Sequence, residues 1–214
     1  MRISRKKAWL FTARSPEEIF SSYASIDPGA DLLVAVDGGL ERVDRLGLKP
    51  SLIIGDMDSV SPALLKRYSR TCQLAYPSRK NESDTELAIL WCLEQEAGEI
   101  VICNDLEGRF DHALALVQNL SLARQRGVEA SIESERQRLF WLEENTSLEG
   151  CQGCVISLFA WRGKALFRDS EGLDYSLQDL AMAEDQTRGL SNRIIAPEAR
   201  IKLISGQVLA ILAK

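Results

Sequence analysis

Short apolar runs alternate with helical patterns over the first 130 residues of the chain. Each apolar run predicts a buried strand, and each helical pattern places apolar residues on one face of a helix. This alternation is typical of a parallel sheet with helices on both faces. The predicted strands are Trp9–Ala13, Leu32–Val36, Leu52–Ile54, Gln73–Tyr76 and Ile100–Cys103.

Capping and stop signals locate the helices between these strands. Ser15–Glu18 supplies a hydroxyl, a proline and two acids where a helix would begin, and Ser61–Pro62 repeats the start of that pattern. Ser83–Glu86 has the pattern of a capping box, which also predicts the start of a helix. Glycines predict the ends of three helices, at Gly47, Gly98 and Gly127.

The pattern changes after about residue 130, where short strand-like runs are divided by glycines and charged residues. The last two runs flank Ser205–Gln207, which predicts a hairpin. We therefore predict an α/β domain over residues 1–134 and an all-β domain over residues 135–214. The runs are Leu139–Leu142, Cys154–Trp161, Ala165–Phe167, Leu173–Tyr175, Ile201–Ile204 and Val208–Ile211.

Composition narrows the class of protein. A hydrophobic content of 45% and a charged content of 27% are ordinary for a soluble globular protein. The formal net charge of −5 argues against a nucleic-acid partner, and no apolar run approaches the roughly 20 residues of a membrane span. The basic start, Met1–Lys7, has no signal-peptide core after it, and five scattered cysteines fit reduced thiols, so we expect a cytoplasmic protein. Cys151 and Cys154 predict a structural turn, because no second pair of zinc ligands stands at suitable spacing.

The chemistry is expected where the strand Leu52–Ile54 ends. Gly55 breaks the apolar run, and Asp56 and Asp58 follow one residue apart. Ligands of open α/β sheets bind beyond the carboxyl ends of the strands, and paired carboxylates there are typical ligands of Mg²⁺. A turn in which the carboxylates accept hydrogen bonds from backbone amides explains the same residues.

Polar residues follow three further strands, and all four loops should emerge at one edge of the sheet. They contain four or more carboxylates, a lysine, an arginine and glycines beside helix starts, which together could bind a metal–polyphosphate. The chain has neither the phosphate loop of P-loop ATPases nor the glycine fingerprint of nicotinamide dehydrogenases. The four loops are Asp37–Gly39, Gly55–Ser59, Lys80–Asp84 and Gly108–His112.

Each loop taken alone has a simpler explanation. Gly38–Gly39 could form only a tight turn, and Asp84 could only stabilise the dipole of its helix. Arg109 and Asp111 could be a surface ion pair, and His112, the only histidine, is expected to pack or cap within its helix. A shared site explains all four strand ends at once, and the sequence therefore favours it.

Five motifs in the chain resemble, in order, those of the thiamin pyrophosphokinase (thiamine diphosphokinase) family. The family pattern is Asp-Gly-Gly, Gly-Asp-x-Asp-Ser, Lys-Asp-x-Thr-Asp-x-Glu, Gly-Gly-Arg-x-Asp-His and Gly-Leu-Ser-Asn. The resemblance spans nearly the whole chain. The corresponding segments here are Asp37–Gly39, Gly55–Ser59, Lys80–Glu86, Glu107–His112 and Gly189–Asn192.

The resemblance implies a parallel-sheet nucleotide-binding domain followed by a β-sandwich. It also implies transfer of the pyrophosphoryl group of ATP to the hydroxyl group of thiamine, releasing AMP, with Mg²⁺ as cofactor. The protein would be a homodimer, with thiamine bound between the first domain of one subunit and the β domain of the other.

The resemblance also implies roles for particular residues. Asp56, Asp58 and Asp84 would hold Mg²⁺ and ATP, and Asp37 would lie near the reacting hydroxyl group. Ser191 and Asn192 would hydrogen-bond the aminopyrimidine of thiamine, although the sequence alone favours a polar turn for these two residues. The ATP-binding residues would be Gly38, Gly39, Ser59, Lys80, Arg109 and Asp111, with Asp111 completing the nucleotide or metal shell.

The chain departs from the family pattern at several positions. Asn81 and Glu107 replace an aspartate and a glycine, Ser83 replaces a threonine, and Asn104–Asp105 replaces Gly-Ala. Glu107 adds bulk and negative charge where a polyphosphate should approach. These changes leave two alternatives open: a pyrophosphokinase acting on another alcohol such as a pterin, or a non-catalytic protein that binds thiamine or a nucleotide.

Overall fold

A computed structural model of the chain describes residues 6–16 and 21–214. The chain divides into two compact units, Met1–Glu135 and Arg136–Lys214, one residue away from the expected boundary. The helix predicted to begin at Ser15–Glu18 falls mostly on residues 17–20, which lie outside the described residues. Within the described ranges, no helix is both long and apolar enough to cross a membrane.

The first unit is a parallel α/β sheet, which confirms the predicted fold class. Its strands are β1 (Lys7–Phe11), β2 (Leu32–Val36), β3 (Leu52–Gly55), β4 (Cys72–Ala75), β5 (Glu99–Cys103) and β6 (Glu129–Glu133). Their order in the sheet is β6-β5-β1-β2-β3-β4, and every described pairing is parallel. The helices that connect them, among the described residues, are α1 (Gly39–Arg45), α2 (Pro62–Arg67), α3 (Asp84–Glu94), α4 (Phe110–Gln125) and the 3₁₀ helix Ser21–Ser25.

Two details of this sheet differ from the prediction. The first strand ends at Phe11 rather than Ala13, because Thr12 forms a turn in which its N–H donates to the Ser15 hydroxyl (2.8 Å) and its carbonyl accepts from the Ser15 N–H (3.0 Å). Strand β6 was not predicted, because its sequence has an acid at each end, two small residues between them and only one large apolar side chain, Ile132. It pairs with β5 along its whole length.

The core of the first unit lies on both faces of the sheet, as expected for parallel strands made of continuous apolar runs. On one face, Trp9 and Phe11 of β1 and Leu33 of β2 pack with Leu40 and Val43 of α1, and all five are fully or almost fully buried. This packing holds the carboxyl ends of the strands, where the loops with acidic residues emerge.

The second unit is all-β and is organised around two long antiparallel strands, β9 (Val155–Glu171) and β12 (Glu198–Ala213). The hairpin predicted at Ser205–Gln207 is wrong, because β12 continues through these residues. Gly206 has a φ of +96° and forms an irregularity in the pairing, and a Cβ there would lie 2.5 Å from the Lys164 carbonyl of β9. The remaining strands are β7 (Gln137–Trp141), β8 (Asn145–Glu149), β10 (Ala181–Met182) and β11 (Asn192–Arg193).

The two halves of each long strand contribute to one apolar cluster. Ile156 and Leu158 from the first half of β9 share it with Phe167 from the second half, and β12 contributes Ile201 and Leu212. Strand β8 pairs with the first half of β12 and β7 with the second half. The strands therefore bend across a shared core, which gives the predicted β-sandwich. Leu173–Tyr175, predicted as a strand, forms only a single bridge to Ile194.

Candidate active site

Asp37 lies at the carboxyl end of β2 and reaches across the end of β3. Its backbone has a φ of +47°, and its N–H donates to the Ile54 carbonyl (2.9 Å). Its Oδ1 accepts a long hydrogen bond from the Met57 N–H (3.4 Å). A Cβ on Gly55 would lie 1.6 Å from the same oxygen, so only glycine at position 55 leaves space for the Asp37 carboxyl group.

Asp56 and Asp58 occupy the turn after β3. The Asp58 N–H donates to Asp56 Oδ1 (3.2 Å), which is the backbone-capping turn that the sequence left open as an alternative. This hydrogen bond lowers the pKa of Asp56 the most, and a hydrogen bond from the Ser78 side chain lowers it further. A hydrogen bond to the Asp56 carboxyl group and the charge of that group raise the pKa of Asp58. The two carboxyl groups therefore interact with each other as well as forming a turn.

Asp84, in the first turn of α3, connects Asp37 to Lys80. The Lys80 ammonium lies 2.7 Å from Asp84 Oδ1 and also donates to the Pro77 carbonyl (3.3 Å). Burial, then the charge of Asp84 and a hydrogen bond to its carboxyl group, raise the pKa of Asp37 to about 7. Asp37 and Asp84 thus form a second pair of acids that interact electrostatically.

These loops bring four carboxylates and one lysine into a single charged cluster. Electrostatic interactions extend from Asp84 to Asp58 and from Asp56 to Asp37, so the two acid pairs are not independent. In the described part of the chain, no three His, Cys, Asp or Glu side chains are already arranged around one ion position. Instead, the acids are arranged as hydrogen-bonded pairs.

A cavity of about 470 Å³ adjoins this cluster at the carboxyl edge of the sheet. Asp37 and Asp84 line it, whereas Asp56 and Asp58 are not among its lining residues. The other lining residues come from the end of β2, the loops after β1 and β5, the start of α3 and the first three turns of α4. They include Thr12, Arg14, Asn104, Glu107, Asp111, His112 and Asn119.

Arg109 does not join the acidic cluster. It forms a bidentate ion pair with Asp111, with the shorter contact at 2.6 Å, and both side chains are more than 60% exposed. Asp111 and His112 line the cavity, but Arg109 is not among the lining residues. The arrangement is the surface ion pair that the sequence left open as an alternative, and an ATP contact of Arg109 stays a prediction.

Gly38, Gly39 and Ser59 lie where α1 begins against the end of β1. A Cβ on Gly39 would lie 1.8 Å from the Phe11 carbonyl oxygen, which explains the glycine without any ligand. A Cβ on Gly38 would lie 3.1 Å from Ala13 Cβ and 3.4 Å from the Ser59 hydroxyl. Close backbone packing accounts for both glycines, and their contribution to ATP binding stays a prediction.

Part of the cavity wall consists of residues that the sequence analysis did not select. Asn104 and Thr12 are buried, and Asn104 Nδ2 donates to Thr12 Oγ1 (2.8 Å) while Asn104 Oδ1 accepts from the Leu106 N–H (2.7 Å). The Thr12 hydroxyl donates in turn to the Cys103 carbonyl (3.0 Å). Asn104 was visible in the sequence only as a departure from the family pattern, and Thr12 lies 92 positions away from it.

Ser191 and Asn192 belong to the second unit. Asn192 is buried, and its side-chain amide donates to the Tyr175 carbonyl (2.7 Å) and accepts from the Tyr175 N–H (3.0 Å). Ser191 is exposed with a φ of +57°, and its N–H donates to the Ser157 hydroxyl (3.1 Å). These contacts agree with a polar turn, and binding of thiamine by the two residues stays a prediction.

Acidic loops beside a cavity at the carboxyl edge of a parallel sheet are typical of proteins that bind metal–nucleotide complexes. The model of the thiamin pyrophosphokinase catalytic domain matches residues 24–132, which is half of the chain. The chain therefore belongs to the thiamin pyrophosphokinase family, a family of transferases. This confirms the resemblance and, at the level of the family, the prediction of a thiamine diphosphokinase.

Individual relatives agree with this assignment. The chain is 27% identical to thiamine pyrophosphokinase of Bacillus subtilis over 123 residues, which cover 56% of each protein. It is 23% identical to thiamin pyrophosphokinase 1 of Caenorhabditis elegans over 194 residues, which cover 83% of this chain and 77% of that protein. The match therefore spans little more than half the length of the Bacillus relative.

Solved structures share the fold over the whole chain. The crystal structure of thiamine pyrophosphokinase from Bacillus subtilis has a TM-score of 0.85 at 20% identity and covers 98% of this chain and 99% of that one. The yeast thiamin pyrophosphokinase structure has a TM-score of 0.79 at 15% identity and covers 100% of this chain and 88% of that one. These likenesses extend the predicted fold class to both units.

Proposed function

We propose that the protein transfers the pyrophosphoryl group of ATP to the hydroxyl group of thiamine, giving thiamine diphosphate and AMP. The observation that carries this proposal is the convergence of Asp37, Asp56, Asp58, Asp84 and Lys80 beside a cavity of about 470 Å³. Membership of the thiamin pyrophosphokinase family supplies the identity of the two substrates.

The chemistry of the acidic cluster fits Mg²⁺. Asp37 interacts with Asp84 and Asp56 with Asp58, and carboxylates this close repel one another unless a cation lies between them. Oxygen atoms of carboxylates are the ligands that Mg²⁺ prefers. Asp56, Asp58 and Asp84 would hold the ion, which when bound neutralises charge on the phosphates of ATP.

The remaining groups would bind and orient the substrates. Lys80 lies against Asp84 and would contribute positive charge to a phosphate oxygen. Asp37 lies at the junction of the cluster and the cavity, where a carboxylate could accept the proton of the attacking hydroxyl group. Phosphoryl-transfer enzymes depend mainly on such positioning and charge neutralisation.

Ser191 and Asn192 are proposed to bind thiamine in a homodimer. The support is the family motif Gly189–Asn192, which lies in the second unit. Because the Asn192 amide already pairs with the Tyr175 backbone, its contact with thiamine would use a remaining lone pair or hydrogen.

The decisive experiment uses ATP labelled at the β-phosphate. With Mg²⁺ and thiamine, the protein should form AMP and labelled thiamine diphosphate in equal amounts, and chelation of Mg²⁺ should stop the reaction. Omission of thiamine provides the control, in which AMP should not accumulate. Formation of ADP with unlabelled thiamine monophosphate would contradict the proposal, because it would show transfer of the γ-phosphoryl group alone.

A further inference from the structure

Arg14 lines the cavity but has no role in the family motifs. It follows β1 and is exposed, and in the described ranges 6–16 and 21–214 its guanidinium makes neither a hydrogen bond nor an ion pair. Arg109, by contrast, donates two hydrogen bonds from its guanidinium to the Asp111 carboxylate. Arg14 is therefore the arginine that is available to a ligand of this cavity.

Gly108 leaves the space that the Arg14 guanidinium occupies. A Cβ on Gly108 would lie 2.6–2.7 Å from the central carbon and both terminal nitrogens of that guanidinium. Since three atoms of the planar group are equally near, the guanidinium lies with its face toward residue 108. Its N–H edges are then left for a ligand, and a planar fork of N–H groups matches two oxygens of a phosphate.

The charges around the cavity require such a group. The lining residues include Asp37, Asp84, Glu107 and Asp111, whereas Arg14 is the one Lys or Arg among those that the structure describes. A polyphosphate bound there meets four acids. A cation at Asp84 offsets only part of that charge, because Glu107 and Asp111 line the cavity from the loop after β5 and the start of α4.

The position of Arg14 in the sheet places it beside the acidic cluster. Arg14 follows β1 and Asp37 follows β2, and these two strands are paired in parallel. Both residues line the same cavity at this edge of the sheet, together with Asp84. A triphosphate tail whose cation lies at Asp84 would therefore share the cavity with Arg14.

We propose that Arg14 is a phosphate-binding residue for the nucleoside triphosphate substrate. Its guanidinium occupies the space that is open because Gly108 has no side chain. This inference rests on the proposed function for the identity of the substrate. It assigns the phosphate contact to the loop after β1, in addition to any contact made by Lys80.

The test compares full-length Arg14→Ala, Arg14→Lys and wild-type protein. We expect Arg14→Ala to raise the KM for ATP by roughly 10- to 100-fold, as for loss of a charged hydrogen bond, while the KM for thiamine changes less than about twofold. Arg14→Lys should recover part of the loss, because lysine keeps the charge but not the fork. Arg67→Ala is the matched control, since Arg67 pairs with Asp44 and lies at the far end of α2.

Calorimetry separates a phosphate contact from a contact with the nucleoside. With Mg²⁺ present, Arg14→Ala should weaken binding of inorganic tripolyphosphate by the same factor as binding of ATP, and leave binding of adenosine unchanged. Equal ATP and tripolyphosphate affinities in wild type and Arg14→Ala would overturn the proposal.

Failure of the inference differs from failure of the proposed function. If the wild type produces AMP and thiamine diphosphate but Arg14→Ala has an unchanged KM for ATP, only the role of Arg14 is overturned. If the wild type binds tripolyphosphate more tightly than Arg14→Ala does but forms no thiamine diphosphate, the role of Arg14 is supported and the proposed function is overturned.

Discussion

Each acid of the cluster serves its own loop as well as the site. Asp56 accepts a hydrogen bond from the Asp58 amide, and Asp37 accepts one from the Met57 amide. The same carboxyl groups interact electrostatically with other acids, Asp56 with Asp58 and Asp37 with Asp84. The hydrogen bonds from backbone amides hold the carboxyl groups in place. The repulsion between neighbouring carboxylates favours binding of a cation between them.

Asp56→Asn should distinguish the structural role of the Asp56 side chain in the turn from the role of its negative charge in the reaction. Asparagine can still accept the hydrogen bond from the Asp58 N–H, so the melting temperature should stay near that of the wild type, whereas turnover should fall by roughly 10²- to 10³-fold. Asp27→Asn is the matched control, because Asp27 accepts the equivalent bond from the Gly29 N–H (2.9 Å) outside the site. Near-normal turnover of Asp56→Asn in a steady-state assay would remove Asp56 from the proposed metal ligands.

Asp37 should make the stability of the metal-free protein depend on pH. Its pKa rises from 3.8 to about 7 on folding, so the folded protein keeps a proton that the unfolded chain loses. The resulting stabilisation is complete below pH 3.8 and is lost as the pH rises through 7. Urea unfolding with a chelator should therefore show the free energy of unfolding falling from pH 5 to pH 8, and falling less in Asp37→Asn, which binds no proton. Equal slopes for the two proteins would contradict the raised pKa.

At the scale of elements, helix starts position the site. Ser83 caps α3 by accepting a hydrogen bond from the Glu86 N–H (3.2 Å), and Asp84 is the first residue of that helix. The cap therefore sets the direction in which Asp84 faces Lys80 and Asp37. Ser61 caps α2 by an equivalent bond to the Leu64 N–H (3.2 Å), but α2 begins with no residue of the proposed site.

Ser83→Ala and Ser61→Ala form a matched pair for testing this dependence. Each should lower the free energy of unfolding by about 1 kcal/mol, as is usual for loss of a capping hydroxyl. Turnover should fall only in Ser83→Ala, because only there does the loosened helix start carry Asp84. Chemical denaturation and steady-state kinetics measure the two effects, and equal turnover in the two variants would show that the cap does not position Asp84.

At the scale of the whole molecule, the proposed residues divide between two units. The acids, Lys80 and the cavity belong to Met1–Glu135, whereas Ser191 and Asn192 belong to Arg136–Lys214. A transferase must bring its two substrates together, and the homodimer implied by the family would combine the first unit of one subunit with the second unit of its partner.

The homodimer can be tested by sedimentation velocity. At micromolar concentration the protein should sediment with twice the mass of one chain. An equal mixture of Asp56→Asn and Ser191→Ala/Asn192→Ala subunits should then recover turnover. Each heterodimer would have two sites, one carrying both changes and one carrying neither. A species with the mass of one chain and wild-type turnover would contradict the dimer.

Hydrophobic periodicity and local signals determined the class of the fold and selected the acids of the proposed site. Continuous apolar runs predict parallel strands because both faces are buried, and this was correct for β1 to β5. Gly55 with Asp56 and Asp58, and the cap at Ser83 before Asp84, are local patterns, so they were visible without coordinates.

Only the tertiary structure decided which groups face one another. Gly206 has the same local signature in a turn as in an irregular strand, and the close Lys164 carbonyl of β9 determines that β12 continues. The Arg109 side chain pairs with Asp111 rather than lining the cavity, whereas Arg14 lies in the space above Gly108, 94 positions away in the sequence. Contacts between residues so distant depend on how the strands are ordered in the sheet, and no local pattern records that order.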